Sequence, residues 1–356
     1  MTKIPVTKAK TLKPHPDETK LGFGLYFTDH MFNMDYHPDK GWYNPRIEPY
    51  GPLAVDPAMM VLHYGQSVYD GHKAYRTPAG AIQLFRPKDH IARLNRSAPR
   101  LAIPQVGEAL LLDALKQLIA VEKEWVPRLP GTSLYIRPNI IASDCCLGVR
   151  ASRTYRLYII LSPVGPYFPE GFKPVRIWVS KDHVRAFPGG LGEAKTPANY
   201  AASILAGEEA RREGYPQVLW LDGIERRYPE EVGAMNICFV IDGELITPPL
   251  NGTVLPGITR DSVLTLAKSW GLPHAERRVG MDEIVEANKQ GRLSEVFGCG
   301  TAAVISPVGT LKYGDQTITV ADGQVGPVAV RLYNALTDIQ YGRAEDPFGW
   351  MEPVVK

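Results

Sequence analysis

The segment GPYFPEGFKP at 165–174 packs three prolines and two glycines between two strand-like runs, and neither a helix nor a sheet continues through such a stretch. It is the natural interdomain connection of a chain whose 356 residues suffice for two domains at roughly 150 residues each. On its N-terminal side, residues 88–100 and 108–125 read as helices, the second because positions 110, 111, 114, 115, 118 and 119 form one apolar stripe. SLYIRPNIIA (133–142) and TYRLYIILSPV (154–164) then read as strands. Beyond the connection come the strand-like VRIWVS, QVLWLDG (217–223) and the hairpin NICFVIDGELITPP (236–249), turned at Asp242-Gly243. Helices from about 261 to 270, stopped by Gly271, and near 281–288 interleave with them. Hairpins mixed with helices indicate an α+β or mixed α/β fold with antiparallel strands, not a doubly wound sheet. The expected organisation is an arm at 1–21, an N-terminal α/β domain at 22–164, the connection, and a C-terminal domain at 175–356.

Charge narrows the partners. With 40 basic and 38 acidic residues intermixed, the net charge of +2 offers no extended positive field, so nucleic acid is not expected. No stretch reaches the roughly 20 apolar residues of a membrane span, and the first residues lack the apolar run of a signal peptide. The four cysteines make no CxxC pair and no metal-ligand spacing, and adjacent Cys145 and Cys146 do not easily bridge. A reducing, cytoplasmic setting without a metal is expected. The polar, proline-containing first 20 residues read as a loosely held arm, with order beginning near Gly22.

Chemistry concentrates in GGLGEAKTPANYA (189–201), where Gly189, Gly190 and Gly192 precede Lys195 and a helix-like segment with Tyr200, Ile204 and Leu205 at helical spacing follows. A lysine delivered by such a loop is either a solvated surface charge or the amine that carries a carbonyl cofactor as a Schiff base. Pyridoxal phosphate would further require an anion site, a carboxylate facing the pyridine nitrogen and donors for a substrate carboxylate. LPGITRDSVLTLAKSWG (255–271) offers a helix start whose opening amides at Ile258 and Thr259 can meet an anion, although it also reads as an ordinary capped helix. GCGTAAVISPV (298–308) offers Gly-x-Gly-Thr with the Thr301 hydroxyl before a strand-like run. Neither this stretch nor the lysine loop completes a dinucleotide fingerprint. Glu231, in RYPEEVGAMNICFV, is the candidate carboxylate and Glu230 its competitor.

Taken in order, these segments resemble the branched-chain amino acid aminotransferases, the fold type IV family of pyridoxal phosphate enzymes. The resemblance runs from about Phe23 to Trp350 and includes FTDHM, LHYGQSVYDG, LFRPKDHIARLNRSAPRL, LYIRP, LGVR, PVGPYFP, EEVGAMN and LPGITRD. It implies a two-domain fold of that type. Lys195 would bind pyridoxal 5'-phosphate, Glu231 would face the ring nitrogen and Tyr200 the phenolic oxygen, while Arg93, Ile258, Thr259 and Thr301 would hold the phosphate. Tyr135 and the amides near Thr301 and Ala302 would receive the substrate α-carboxylate. Phe23, Tyr64 and Tyr167 would line the side-chain pocket, Arg137 would meet the distal carboxylate of glutamate or 2-oxoglutarate, and Leu147 and Val149 would come across a homodimer interface. The implied reaction is ping-pong transamination of leucine, isoleucine and valine with 2-oxoglutarate. D-amino acid aminotransferases, aminodeoxychorismate lyases and a non-catalytic cofactor-binding protein share the scaffold and stand as alternatives. The chain departs from the family's pattern at Tyr69-Asp70, where Phe-Glu is usual, at Pro197-Ala198, where glycines commonly follow the lysine, and at Ala234, where a hydroxyl is common. Ala303 and Ser306 replace the thiol pair of mammalian relatives.

Overall fold

A computed structural model describes residues 2–167 and 171–355, so the expected connection at 165–174 lies partly outside the described residues. By internal contact the chain forms two units. The first takes in the chain up to 167 together with Ala194–Pro197 and 338–355, and the second takes in 171–193 and 198–337. The segment around Lys195 and the chain's last strand therefore count with the first unit.

In the first unit an entirely antiparallel sheet is built from β1 (His30–His37), β2 (Gly41–Pro49), β3 (Ser67–Tyr69), β4 (His72–Arg76), β5 (Ile82–Phe85), β6 (Ser133–Ala142) and β7 (Tyr155–Val164). β6 shows why this sequence makes a strand with two different faces. Leu134, Ile136 and Ile140 alternate with Tyr135, Arg137 and Asn139, and the first set is fully buried in the core with Leu94, Leu111, Leu115 and Leu118. Those leucines come from α2 (Pro87–Arg100) and α3 (Glu108–Val121); a short α1 (Met60–Tyr64) precedes β3. The second of the expected helices stops at Val121, short of 125, and Lys123–Trp125 continues as a 3₁₀ turn.

The N-terminal residues are not loose. Ile4 is buried in the core, Val6 bridges Ile47, and the Thr7 amide donates to the Ile47 carbonyl at 2.9 Å. The Lys13 amide donates to Asp29 Oδ1 at 2.8 Å, and His15 stacks on Trp125 at 4.5 Å. Composition hides this because the arm is held mainly by its backbone amides, which carry no residue signature.

In the second unit β8 (Val175–Val179), β9 (Gln217–Leu221), β10 (Pro229–Val232), β11 (Met235–Ile241), β12 (Glu244–Thr247), β13 (His274–Glu276), β14 (Leu293–Gly300), β15 (Val304–Tyr313) and β16 (Gln316–Thr319) form one mixed sheet. The order β10-β9-β8-β15-β14-β11 closes on itself because β10 also pairs with β11. Every residue of β11 is buried, as a continuous apolar run inside such a ring demands. Asp242 and Gly243 both take positive φ, 52° and 79°, so the predicted Asp-Gly turn links β11 to β12. Three strand pairs, β8–β9, β8–β15 and β12–β13, are parallel, which the antiparallel expectation did not include. The helices are α4 (Pro197–Ala201), α5 (Ile204–Arg212), α6 (Ile258–Ser269), α7 (Met281–Lys289) and α8 (Pro327–Gln340). β17 (Met351–Val355) returns to pair with β5 in the first unit's sheet. No helix among the described residues is long and apolar enough to cross a membrane.

Candidate active-site residues

In the first unit, the polar face of β6 gathers four of the residues expected to meet substrate, Tyr135, Arg137, Phe23 and Tyr167. Arg137 Nη2 donates to the Tyr135 hydroxyl at 3.0 Å, and its guanidinium lies 4.6 Å from the centre of the Tyr69 ring. Phe23 packs edge-on against Tyr135 at 5.0 Å and against Tyr167 at 5.3 Å. Gly71 permits this arrangement, since a Cβ there would sit 1.9 Å from the Tyr135 hydroxyl. Tyr64 is tied elsewhere: its hydroxyl donates to the Leu147 carbonyl, on a surface where Leu147 and Val149 are 64% and 85% exposed. The ring expected to line the pocket with Phe23 thus shares a patch with the two residues expected at a subunit interface.

Lys195 is fixed by its backbone. Its amide donates to Ser97 Oγ at 2.9 Å, its carbonyl accepts from the Tyr69 amide at 3.1 Å, and Nζ lies 5.1 Å from the centre of the Tyr69 ring. The next residue, Thr196, is fully buried and donates its hydroxyl to the Ser67 carbonyl. Ser97 also donates to the carbonyl of Arg93 one helical turn earlier, so α2 sets both Arg93 and the lysine backbone. Arg93 grips the wholly buried Asp70 through Nε and Nη2, both at 2.8 Å, and His90 Nδ1 shares that carboxylate at 2.8 Å. Burial opposes the Asp70 charge, but Arg93 and His90 outweigh it and hold the carboxyl well below its ordinary range. His72 stacks on His90 at 5.0 Å with neither ring nitrogen hydrogen-bonded, and burial pushes it down to about 3. Asp70, His72 and His90 offer ligand atoms within 4.8 Å of one another, yet the Arg93 guanidinium already neutralises the carboxylate. Asp70, one of the departures from the family pattern, is thus the anchor of Arg93. Lys73, on the same sheet face as Tyr135 and paired with it in register, is buried and pushed down to about 8 by that burial.

The second unit holds the other candidates. Glu230 and Glu231 are adjacent on β10, and side chains should alternate between faces there, but the pairing with β9 slips between Pro229 and Glu231. This bulge lets both carboxylates reach the 253–255 segment. Glu231 Oε1 accepts from the Leu255 amide at 2.7 Å, and Glu230 Oε1 accepts from the Thr253 hydroxyl at 2.5 Å. Burial pushes Glu230 up, against the opposing pull of Thr253 and Arg185. Glu231 Oε2 faces Arg185 Nε at 3.2 Å, and the two residues line a narrow pocket with Tyr200, Asn199, Ser203 and Ala234. The carboxylate preferred from sequence and Tyr200 therefore share one pocket, and so does the Ala234 departure.

Pro197 stands at the first position of α4, where its missing N–H costs nothing and its fixed φ suits a helix. That gives a physical reason for a proline directly after the lysine segment. The predicted continuous helix divides into α4 and α5, and Ile204 and Leu205 are exposed while Ala206 and Ala210 pack inward. Gly192 is required: a Cβ there would lie 2.3 Å from the Thr253 carbonyl oxygen.

α6 begins at Ile258, three residues before the expected start, because Gly257 occupies the cap position in extended conformation without a side-chain bond. Ile258 and Thr259, in its opening turn, are buried. A Cβ at Gly257 would meet Asn236 Oδ1 at 1.9 Å, and Asn236 Nδ2 donates to the Leu255 carbonyl at 2.9 Å. Asn236 pairs with Glu231 on one side and Cys299 on the other, so it links the Glu231 strand, the α6 entry and the end of β14. Thr301 and Ala302 lie just past that end, in the turn joining β14 to β15, and Val304 closes the turn with φ at 63°. A β-branched residue in that region carries strain on the order of 1–3 kcal/mol. Arg185, Asn236, Asp70 as an anchor, Ser97 and Lys73 were not singled out from sequence. A polar Asn inside the apolar run MNICFVI was the one legible signal among them.

The class IV amino-transferase family model matches residues 67–311. Branched-chain-amino-acid aminotransferase 2 of Bacillus subtilis is 55% identical over 356 residues, covering 99% of this chain and 98% of its own. The crystal structure of an Escherichia coli branched-chain amino acid aminotransferase aligns with a TM-score of 0.78 at 32% identity, covering 92% of this chain and 99% of its own. The branched-chain amino acid aminotransferase of Thermobaculum terrenum, in its PLP-bound holo form, aligns with a TM-score of 0.74 at 26% identity, over 91% of this chain and 98% of its own.

Proposed function

The chain belongs to the class IV aminotransferase family, and from that premise we propose which of its residues carry the reversible transfer of an amino group between branched-chain L-amino acids and 2-oxoglutarate. Pyridoxal phosphate is the cofactor of that exchange, and when bound it supplies an aldehyde for the amine and a ring that accepts the electron pair left at the α-carbon. The residues fit such a group: Arg185 Nε and Glu230 Oε2 are buried without hydrogen-bond partners, and α6 opens after Gly257 with Ile258 and Thr259 buried. Glu231 would hold the ring nitrogen, Tyr200 the phenolic oxygen, and Arg93, Ile258, Thr259 and Thr301 the phosphate.

Lys195 Nζ would take the proton from the α-carbon of the bound amino acid and hold it for return. The fixed lysine backbone is the single observation that carries this assignment, because a base acts only when its reach is set by the chain behind it. Tyr135 and the Thr301–Ala302 amides would orient the substrate carboxylate. The Phe23, Tyr135 and Tyr167 rings would exclude water around a branched side chain. Arg137, stacked on Tyr69, would meet the distal carboxylate of the acidic partner, so that one pocket serves both substrates in turn.

We place the enzyme in the cytoplasm as a homodimer in which Leu147 and Val149, now joined by Tyr64, are given to the partner's site. The exposure of this hydrophobic patch and the four free cysteines support that reading. Turnover of L-leucine compared with D-alanine and L-aspartate tests the substrate assignment, with L-leucine expected fastest; faster D-alanine turnover would overturn it. Lys195→Ala is expected to lower transamination at least about a thousandfold while the variant still binds cofactor noncovalently. Normal turnover by that variant would remove Lys195 from the role.

A further inference from the structure

We propose that Arg185 is a positioning residue of the reaction, one that sets Glu231 and the lysine loop through a single guanidinium. This inference rests on the reading of Glu231 given above. The Arg185 and Glu231 side chains are 7% and 4% exposed, so their charges meet largely out of water, where a misplaced partner is costly.

Three chain segments converge on this arginine. Its Nε stands 3.2 Å from Glu231 Oε2. Its Nη2 donates to the Gly192 carbonyl at 3.0 Å, in the loop that reaches Lys195 three residues later. The same nitrogen donates to the carbonyl of Thr253, in the segment that leads into α6. Thr253 is in turn pressed against Gly192, at a distance that excludes any side chain there. Moving the guanidinium would therefore release the lysine loop and the approach to the anion-binding helix start together.

The contact geometry also differs between two neighbouring carboxylates. Arg185 Nε lies close to Glu231 but is not aligned for a hydrogen bond, whereas Glu230 is held by the Thr253 hydroxyl. A guanidinium near one carboxylate and a hydroxyl on the other give two adjacent glutamates different surroundings. Arg185 acts on both charges but stands in contact with Glu231, the carboxylate assigned above to a protonated ring nitrogen. It acts through Glu231 and the loop.

The test uses the full-length holoenzyme and its apo form, with Arg185→Lys, Arg185→Gln and Glu231→Gln, singly and combined. Pyridoxal phosphate itself is the probe. Arg185→Lys is expected to weaken cofactor binding by the apo form about tenfold and to move the pH midpoint of the bound cofactor's visible absorbance, with kcat falling more than KM for leucine. In the Glu231→Gln background the added effect of Arg185→Lys on that midpoint should vanish, because the two residues act as one unit. If Arg185→Lys and Arg185→Gln keep the wild-type midpoint and cofactor affinity, or lower only the melting temperature, the proposal is overturned. If their effects simply add to that of Glu231→Gln, Arg185 does not act through Glu231. Failure of the wild-type protein to bind pyridoxal phosphate would instead strike the underlying reading of Glu231, so the two failures are distinguishable.

Discussion

Two buried arginine–carboxylate pairs, one in each unit, are built differently. Asp70 accepts both Nε and Nη2 of Arg93 and a third bond from His90, so its charge is fully satisfied by protein. Glu231 Oε2 faces Arg185 Nε at 3.2 Å with no hydrogen bond at that Nε, and Glu231 Oε1 accepts from the Leu255 amide. A saturated pair fixes a side chain in place, and any ligand must then use what the arginine has left over. In the second pair, the arginine Nε without a hydrogen bond leaves room to bond a ligand. The first reads as an anchor for a phosphate-binding arginine, and the second as the working edge of the pocket.

Breaking each pair in turn separates the two roles. Glu231→Gln should lower transamination about a hundredfold and cost less stability in urea than the loss of Asp70, because Arg185 keeps its bonds to the Gly192 and Thr253 carbonyls. Asp70→Asn, which takes the carboxylate from beside the buried Arg93, should cost about 3 kcal/mol in the same unfolding experiment. Equal stability losses in the two variants would collapse the distinction.

A smaller effect concerns the histidines behind the anchor. The folded state holds His72 near 3, below the ordinary value of 6.5, so the unfolded chain binds that proton more readily. Stability from keeping it neutral is present above about pH 6.5 and is lost as pH falls toward 3, reaching about 2 kcal/mol by pH 5. Unfolding measured at pH 7 and pH 5 should show that loss in the wild type and not in His72→Leu. Equal pH dependence would mean that His72 does not titrate across folding.

The mildest change probes the open pair's surroundings. Ala234→Ser puts a hydroxyl on the wall shared by Glu231 and Tyr200 and should alter KM for leucine by less than about threefold. A change above tenfold would mean that this departure sets specificity.

Features set by local pattern were legible in the sequence. The alternation of β6 announced a two-faced strand, and Asp242-Gly243 announced its hairpin. The order of motifs identified the reaction. Features that depend on distant backbone were not legible. The N-terminal arm was misread because backbone amides hold it. Arg185 passed unnoticed because its partners are a distant strand and two carbonyls, which leave no trace in spacing. The bond from the Tyr64 hydroxyl to the Leu147 carbonyl, 83 residues away, likewise left no trace in spacing.

The central claim is that Lys195 carries pyridoxal phosphate for amino-group exchange with branched-chain amino acids, and its most direct test is an absorbance titration of the purified holoprotein. The protein should be yellow, and the visible band should disappear on adding leucine, isoleucine or valine without an oxo acid, then return with 2-oxoglutarate. A protein that stays colourless after pyridoxal phosphate is supplied, or a band that these amino acids leave unchanged, would contradict the account.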